Sequence, residues 1–440
     1  MNTISRIILV GVVGVILVLG YGGMCSKKDS KSGSSGPLLP IWVQVSNPSV
    51  YDDSAFSIIA DDNYLYIVGN DQTPGTADGG QWHIEKRDKA TGALVAGFGN
   101  AGIVSFNISI YLENTLVITA DANYLYIIGY DRSPGPIDGQ WRIEKRDKAT
   151  GALVAGFGSA GVVNSNPSPV SDGVWGIIAD DNYIYLAGND QSPGDRQWRI
   201  QKHDKTTGAL DAGFGSAGVI TSNPSAFGEH TYSITADANY LYIAGYDQSP
   251  GYPQWRIEKR DKTTGALVTG FGSAGVVNSN PSPPSSSGTV WYIIADDNYL
   301  YVAGVDMVPG NEQWRIEKRD KTTGTLVAGF GSAGIVNSNP SALGATAQSM
   351  TADDNYLYIA GYDQSPGYPQ RRIEKRDKIT GALVTGFAGT GVITSAPSAG
   401  NVYSIIVDAN YIYIVGSDWD WGLGNYQWCI EKRNKTTGGQ

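Results

Sequence analysis

The sequence has few of the residues that build metal centres and disulfide frameworks. Its 440 residues include two cysteines, Cys25 and Cys429, and three histidines, His83, His203 and His230. So few ligands cannot assemble a cysteine–histidine zinc site or a disulfide framework. We therefore predict that the protein uses no metal and no cofactor.

Basic charge is also scarce. Lysine and arginine number 32 against 42 acidic residues, which gives a formal net charge of −10 at neutral pH. A nucleic acid or an anionic membrane surface is bound through a basic face. The sequence therefore predicts no nucleic-acid partner, and membrane contact only through an N-terminal anchor. The same acidic excess keeps an exported protein in solution, which needs no partner at all.

Familiar catalytic motifs are missing as well. The chain contains no Gly-X-Ser-X-Gly elbow, no His-Glu-X-X-His and no phosphate-binding loop. The sequence thus predicts no catalytic residue, and it favours a protein that is not an enzyme.

The N-terminal segment is predicted to lie outside the folded domain. Arg6 precedes an apolar run over residues 7–24, which indicates a signal peptide or membrane anchor over residues 1–24. Residues 25–40 are a polar, flexible tether. The segment resembles that of a bacterial lipoprotein, which implies that Cys25 is the lipidated residue. An uncleaved anchor and ordinary cleavage are the alternatives.

From residue 41 onward the chain repeats one unit seven times, and the unit is marked by a tyrosine after Asp-Asn or Ala-Asn. These tyrosines are Tyr64, Tyr124, Tyr183, Tyr240, Tyr299, Tyr356 and Tyr411. The fourth copy predicts four strands. Strand A ends at Ala236, strand B covers 240–245, strand C covers 255–260 and strand D covers 275–277.

The repeats predict a closed ring. Strand B is apolar on both alternations, so neighbouring sheets must cover both of its sides. The seventh copy ends after its strand C, and residues 41–49 match the strand D exit at 276–282. We therefore predict an all-β fold over 41–440: a closed seven-bladed β-propeller of four-stranded antiparallel blades, whose N-terminal strand completes the last blade. Such closure removes exposed sheet edges.

The repeat resembles the delta-sixty family of bacterial propeller repeats. The likeness rests on the Asp turn and apolar strand over 237–245, the aromatic-X-Ile-X-Lys strand over 255–259, and the Phe-Gly-X-X-Gly-Val link over 271–276. It covers about residues 41–440. The resemblance implies a propeller on the cell surface and brings no settled activity with it.

Differences in length between the copies fall on one side of the predicted disc. The spacing from the A–B turn to the end of strand B, and from strand C to strand D, is constant, whereas the B–C and D–A connections vary. Strands alternate in direction, so these variable connections emerge on the same face. Loops on a rigid scaffold often bind ligands, although unconstrained loops also drift in length.

Most polar motifs recur in nearly every copy, which favours a structural role. Aspartates close strand B, and strand C carries a core tryptophan and an Arg-Glu-Arg pattern that predicts an ion-pair ladder between blades. Arg371 replaces the tryptophan of the sixth copy. The closing aspartates are Asp71, Asp131, Asp190, Asp247, Asp306, Asp363 and Asp418.

The seventh copy departs from the others in its B–C loop, where an aromatic, glycine-rich run replaces Ser-Pro-Gly. Such rings can stack on sugars or anchor a protein partner. Alternatively, they pack over the closure strand near Trp42. The candidate binding residues are Asp418, Trp419, Asp420, Trp421 and Tyr426.

These observations predict a monomeric, extracytoplasmic binding scaffold attached to the cell envelope. Its ligand would be a glycan or a protein, held on the face of the B–C and D–A loops. A hydrolase or lyase with a site near the central channel is one alternative, and a purely structural envelope component is another. An enzyme should show an asymmetric polar cluster near the axis, whereas a binder should show exposed aromatic residues on one face.

Overall fold

The computed structural model describes residues 41–72, 80–108, 115–135, 138–170, 172–279, 288–308, 310–365, 367–394 and 400–439. Every regular element in these ranges is a β-strand, and none of them contains a helix long and apolar enough to cross a membrane. The predicted signal or anchor (1–24), the tether (25–40) and the lipidation at Cys25 lie outside the described residues.

The strands form seven four-stranded sheets, one for each repeat. The first strand and blades one to three comprise β1 (Trp42–Ser46), β2 (Ser54–Ala60), β3 (Tyr64–Asp71), β4 (Gln81–Asp88), β5 (Ile103–Phe106), β6 (Thr115–Ala120), β7 (Tyr124–Asp131), β8 (Gln140–Asp147), β9 (Val162–Ser165), β10 (Gly173–Ala179), β11 (Tyr183–Asp190), β12 (Gln197–Asp204) and β13 (Val219–Ser222).

Blades four to seven repeat the same order of strands. They comprise β14 (His230–Ala236), β15 (Tyr240–Asp247), β16 (Gln254–Asp261), β17 (Val276–Ser279), β18 (Thr289–Ala295), β19 (Tyr299–Asp306), β20 (Gln313–Asp320), β21 (Ile335–Ser338), β22 (Ala345–Ala352), β23 (Tyr356–Asp363), β24 (Gln370–Asp377), β25 (Val392–Thr394), β26 (Gly400–Val407), β27 (Tyr411–Asp420) and β28 (Asn425–Asn434).

Each blade is an antiparallel meander whose first strand lies innermost. Within a blade the strands pair in the order A, B, C and D, and the A strands of successive blades contact one another around the axis. Strand B therefore lies between neighbouring sheets, and its residues of both alternations are buried. This arrangement confirms the predicted seven-bladed propeller.

The closure predicted from the sequence is present. Strand β1 pairs antiparallel with β28, from Trp42 opposite Lys432 to Ser46 opposite Trp428, and so takes the place of strand D in blade seven. The Ser46 hydroxyl donates a hydrogen bond of 2.5 Å to the Glu85 carboxylate of blade one. The N-terminal strand thus joins the last blade to the first.

The core between blades is built around the strand C tryptophans, as the sequence predicted. Trp428 is fully buried, and its indole N–H donates to the Asn70 carbonyl of the next blade at 3.0 Å. Gly69 leaves room for this ring, because a Cβ at that position would lie 2.6 Å from it. The strand B glycine, two residues before the closing aspartate, is therefore part of the contact between blades.

The prediction of an ion-pair ladder between blades was wrong in one respect. Arg256 and Arg260 both contact Glu258 on their own strand, at 2.8 and 2.6 Å, so these charges pair within a blade. Residues spaced by two share one face of a strand, which brings the three side chains together. The link to the preceding blade is the hydroxyl of Ser222, 3.0 Å from Glu258. The junction of blades six and seven is different, because Arg371 there pairs with Glu431 of the next blade.

Candidate binding face

The two faces of the disc differ in the number of ion pairs that join neighbouring blades. We call the side of the A–B and C–D turns the turn face, and the side of the B–C and D–A loops the loop face. On the turn face a lysine of each blade pairs with the turn aspartate of the preceding blade, at 2.9–3.2 Å. The pairs are Lys148–Asp61, Lys205–Asp121, Lys262–Asp180, Lys321–Asp237, Lys378–Asp296, Lys435–Asp353 and Lys89–Asp408.

This ring of ion pairs explains why the turn face keeps a constant length. Asp237 also accepts hydrogen bonds from the backbone N–H groups of Asn239 and Tyr240, and from the Tyr242 hydroxyl. An insertion in the turn would break all of these contacts at once. The loop face has no comparable ring among the residues that the structure describes.

The aspartates that close strand B are structural, as predicted. Asp247 accepts hydrogen bonds from the backbone N–H and the hydroxyl of Ser249, at 3.0 and 2.6 Å, and from the Gln254 amide at 2.9 Å. An aspartate that caps a turn in this way leaves little capacity for a ligand. Within the described residues, no group of three or more His, Cys, Asp or Glu side chains is placed to hold a metal ion.

One position of the loop face keeps the same backbone hydrogen bond in several blades while its side chain varies. The residue before the strand C glutamine accepts a hydrogen bond from the D–A loop through its carbonyl in several blades. Examples are Asp53 N to Tyr426 O and Glu229 N to Arg196 O, both at 2.8 Å. Only its side chain changes from blade to blade. The residues at this position are Gly80, Gly139, Arg196, Pro253, Glu312, Pro369 and Tyr426.

A second variable position lies on the innermost strands. Each strand A carries a β-bulge near its start, opposite the strand B glycine that lies two residues before the closing aspartate. Bulges redirect a side chain without disturbing the rest of the ladder. The bulged residues are Phe56, Leu116, Trp175, Tyr232, Trp291, Gln348 and Tyr403.

The bulged residues bring aromatic rings together around the axis. Tyr232 contacts Trp175 of blade three and Trp291 of blade five, with ring centroids 6.1 and 4.6 Å apart. Phe56 and Tyr403 meet edge to face at 5.4 Å across the junction of blades one and seven. The sequence analysis missed this set, although aligning the fifth residue before each turn aspartate would have revealed it.

Blade seven carries the most prominent element of the loop face. Its strands β27 and β28 are ten residues long, whereas the central strands of the other blades have eight. Trp419 lies opposite Tyr426 in the extended ladder, with ring centroids 5.0 Å apart, and contacts Trp421 at 6.2 Å. Trp421 is 71% exposed and Leu423 is 63% exposed. The tip of this hairpin is therefore apolar and accessible.

The two candidate aspartates make their contacts inside the protein. Asp420 accepts hydrogen bonds from the backbone N–H groups of Gly422 and Leu423, and from the Gln427 amide. Asp418 is only 4% exposed and lies 3.8 Å from Arg371 of blade six. The structure thus places Asp420 in the turn and Asp418 in the blade junction.

The hairpin does not pack on Trp42, which was the alternative left open by the sequence. Trp42 lies opposite Lys432, at the other end of β28, and packs against Tyr413. The hairpin instead meets the 47–53 segment. There the Tyr426 N–H donates to Asp52 at 2.8 Å, and the Asn425 amide donates to the Tyr51 carbonyl at 2.8 Å.

An asymmetric polar cluster lies where blades three and four meet. Arg196 is exposed, and its Nη1 lies 3.2 Å from Nε2 of His230, the first residue of strand β14. The His230 ring stacks on Tyr232 at 5.2 Å and contacts Tyr246 at 5.7 Å. Burial lowers the pKa of His230 to about 4, and the charge of Arg196 acts in the same direction.

Glu229 adds a buried carboxyl group beside this cluster. It occupies the loop position of Asp53 and Asp172 in other blades and accepts a hydrogen bond from Ser225. Burial raises the pKa of Glu229 to about 7, in spite of that hydrogen bond. From the sequence, His230 is only one of three histidines, because a single substitution in one repeat carries no pattern.

Comparisons with known proteins give only distant structural likenesses. No family model and no curated protein matches the sequence. Among solved structures, the polysaccharide lyase Uly1 is 10% identical with a TM-score of 0.46, over 86% of this chain and 89% of its own. Sqt1 from Chaetomium thermophilum is 13% identical with a TM-score of 0.45, over 89% of this chain and 100% of its own.

Proposed function

We propose that this protein is a binding scaffold that recognises a glycan or a protein through its loop face. The observation that carries the proposal is the 71% exposure of Trp421 at the tip of the blade-seven hairpin. An exposed aromatic ring loses water on binding and can stack on a sugar ring or fill a pocket of a partner.

The hairpin supports this proposal because it holds the ring in place before a ligand arrives. Asp420 caps the turn, and the hydrogen bonds to Tyr51 and Asp52 join the hairpin to the 47–53 segment. A side chain that is already positioned loses little conformational entropy on binding.

The contrast between the two faces also supports the proposal. The turn face is occupied by the ring of ion pairs, whereas the loop face varies in side chain at fixed backbone positions such as 196 and 426. Loops that vary in length and side chain on a rigid scaffold are the arrangement by which many proteins present a recognition surface.

The experiment compares the full chain with a Trp419→Ala/Trp421→Ala variant on a glycan array and in a pull-down from cell-envelope extract. We expect the variant to lose ligand binding, because the apolar tip is removed. Its melting temperature should stay within a few degrees of the wild type, since Trp421 makes few contacts with the core.

The matched control is Leu343→Ala, which removes an apolar side chain of similar exposure, 62%, from a loop of blade six. This variant should bind as the wild type does. Unchanged binding by the double variant would contradict the hot spot. A double variant that unfolds would show instead that the hairpin stabilises the closure.

An enzyme of the hydrolase or lyase class is the second candidate. The cluster of His230, Arg196 and Glu229 favours it, because catalysis needs asymmetry at one place and this cluster occurs at one junction among the described residues. No hydrogen bond joins His230 to Glu229 in the structure, so the two do not form an acid–base pair. Glycans incubated with the protein should therefore keep their length by chromatography, and shortened products would establish an enzyme.

We also propose that the N-terminal segment attaches the propeller to the cell envelope, with Cys25 as the lipidated residue. The apolar run over 7–24 and the polar tether after it support this location. The full chain should be recovered with membranes after cell fractionation, and a chain that lacks residues 1–36 should not. Equal recovery of both would contradict the proposal.

A further inference from the structure

The inner strands of blades three to five form an aromatic arc on the loop face. Tyr232 is at its centre, in contact with Trp175, Trp291 and the His230 ring. Tyr246 closes the arc on one side, with its ring 6.1 Å from that of Tyr232. We call these five residues, together with Arg196, the blade-four cluster. Adjacent aromatic rings are a surface on which successive sugar rings can stack.

Arg196 brings a positive charge to this arc. The strand C arginine of the same blade is engaged by a carboxylate, since Arg199 lies 3.1 Å from Asp190. Arg196 takes part in none of the ion pairs within the described chain, and its contact is the neutral His230 ring. Its guanidinium therefore keeps donors for an anionic ligand, and a planar guanidinium suits the two oxygens of a carboxylate.

The hydrogen bond to Arg196 also fixes the proton on His230. A guanidinium can only donate, so Nε2 of His230 accepts and Nδ1 carries the hydrogen. That Nδ1 is buried and has no hydrogen-bond partner among the described residues, although His230 is only 8% exposed. Three other buried polar atoms of the innermost strands, Thr231 Oγ1, Trp291 Nε1 and Gln348 Oε1, are unpaired in the same sense.

Unpaired buried polar atoms are uncommon in folded proteins and need an explanation. Here an indole donor, an imidazole donor and an amide acceptor occur on blades four, five and six. Hydroxyl groups, which both donate and accept, match this mixture. The other parts of the same surface are aromatic rings, the Arg196 cation and, beside them, the Glu229 carboxyl group, whose pKa is raised by burial to about 7.

We propose that the blade-four cluster binds an acidic glycan, with Arg196 on the carboxylate of a uronic acid and the aromatic arc against the sugar rings. This inference rests on the proposed function and narrows its ligand to a carboxylate-bearing sugar. It also adds a subsite distinct from the hairpin of blade seven.

The net charge of the protein makes a local cation necessary for binding an acidic glycan. A protein with a net charge of −10 repels a polyanion over most of its surface, so an acidic glycan is retained only where a local cation is free. Removal of that one charge should therefore abolish the preference for acidic over neutral sugars, while stacking is kept.

The experiment measures binding of the full chain to tetrasaccharides by calorimetry. The panel holds the tetrasaccharides of galacturonate, mannuronate and hyaluronan, each beside its carboxyl-reduced, neutral counterpart. We expect the wild type to prefer at least one acidic member, and Arg196→Gln to weaken that binding about ten- to a hundredfold. Binding of the neutral counterpart should not change.

Arg132→Gln is the matched control, because Arg132 is also a loop-face arginine beside a tyrosine, with its Nε 3.3 Å from the Tyr130 hydroxyl. It should leave every affinity unchanged. A loss with Arg132→Gln equal to that with Arg196→Gln would overturn the proposed subsite, and so would equal affinity of the wild type for acidic and neutral members. That last outcome would leave the proposed function standing. If the Trp419→Ala/Trp421→Ala variant loses the ligands found on the glycan array or in the pull-down but still binds the uronate tetrasaccharide, the two subsites are separate.

Discussion

At position 371 the repeat departs from its own pattern, and a second departure at position 429 compensates for it. At four other junctions a tryptophan of one blade packs beneath an arginine of the next, as Trp198 does beneath Arg256 at 5.6 Å. At the junction of blades seven and one, Trp428 meets the His83 ring instead, at 4.9 Å. At the junction of blades six and seven the tryptophan is replaced by Arg371 and the arginine by Cys429. The Arg371 guanidinium lies 2.9 Å from Glu431, so the charge that blade seven lacks comes from blade six.

This exchange predicts that substitutions at positions 371 and 429 have non-additive effects on the free energy of unfolding. Arg371→Trp should destabilise the protein by about 3 kcal/mol, because it removes a partner of the buried Glu431. Cys429→Arg alone should also destabilise, since two guanidinium groups would compete for one space. The double variant restores the usual tryptophan–arginine contact and should recover most of the loss. Denaturant unfolding of the four proteins measures the coupling, and additive losses would contradict it.

Single residues were predictable where seven copies agree and not where one copy differs. The aspartates that close strand B and the core tryptophans have the roles that the sequence indicated. Arg371 was noticed as a departure, but its compensation by Cys429 depends on a contact between blades that spacing does not reveal. His230 and Arg196 belong to different blades and are 34 residues apart, so only the fold brings them together.

At the scale of elements, the bulge of strand A depends on the strand B glycine that lies opposite it, two residues before the closing aspartate. A Cβ on Gly304 would lie 2.1 Å from the carbonyl oxygen of Thr289, which precedes the bulged Trp291. The same approach recurs opposite Phe56 at Gly69, where the distance would be 2.0 Å. The glycine therefore permits the bulge, and the bulge directs the variable side chain toward the axis.

Gly304→Ala should for this reason destabilise the protein by roughly 2 kcal/mol, because the clash is with backbone atoms that cannot move aside. Gly329→Ala is the control, since a Cβ there would meet nothing within 4 Å, and it should change the free energy of unfolding by less than about 0.5 kcal/mol. Equal stability of the two variants in urea would show that the bulge tolerates a side chain.

The elements themselves were largely predictable, whereas the bulges were not. The apolar strand B, the tight turns and strand C lie where the sequence placed them, because turn residues and alternation mark their ends. Every copy carries the bulge at the same place in strand A, so the spacing between repeats does not reveal it. The aromatic arc was missed for this reason, while the blade-seven hairpin was found because its loop differs in composition.

For the whole molecule, the decisive feature is how the ring closes. On the turn face, Lys89 of blade one pairs with Asp408 of blade seven at 2.9 Å, within the distance range of the six other junctions. Such partly exposed ion pairs each contribute only about 0.2–1 kcal/mol. They are arranged around the whole ring, but they cannot by themselves hold blade seven against blade one.

Closure depends more on strand β1 than on these charges. Its residues form the ladder with β28, Trp42 is buried at 8% exposure against Tyr413, and Ser46 reaches Glu85 of blade one. No other described strand occupies the outer edge of blade seven. Loss of β1 would therefore expose the edge of β28 and leave part of the Glu85 hydrogen bonding unmade, and an exposed edge can pair with other chains.

Deletion of residues 37–49 should consequently lower the melting temperature by roughly 10 °C, because the lost burial and hydrogen bonds amount to several kcal/mol. The shortened protein should also form oligomers in light scattering, since the edge of β28 becomes free to pair. A chain that lacks only residues 1–36 is the control and should melt as the full chain does. An unchanged melting temperature after the 37–49 deletion would mean that six complete blades and a three-stranded seventh suffice, and that β1 covers an edge without holding the ring.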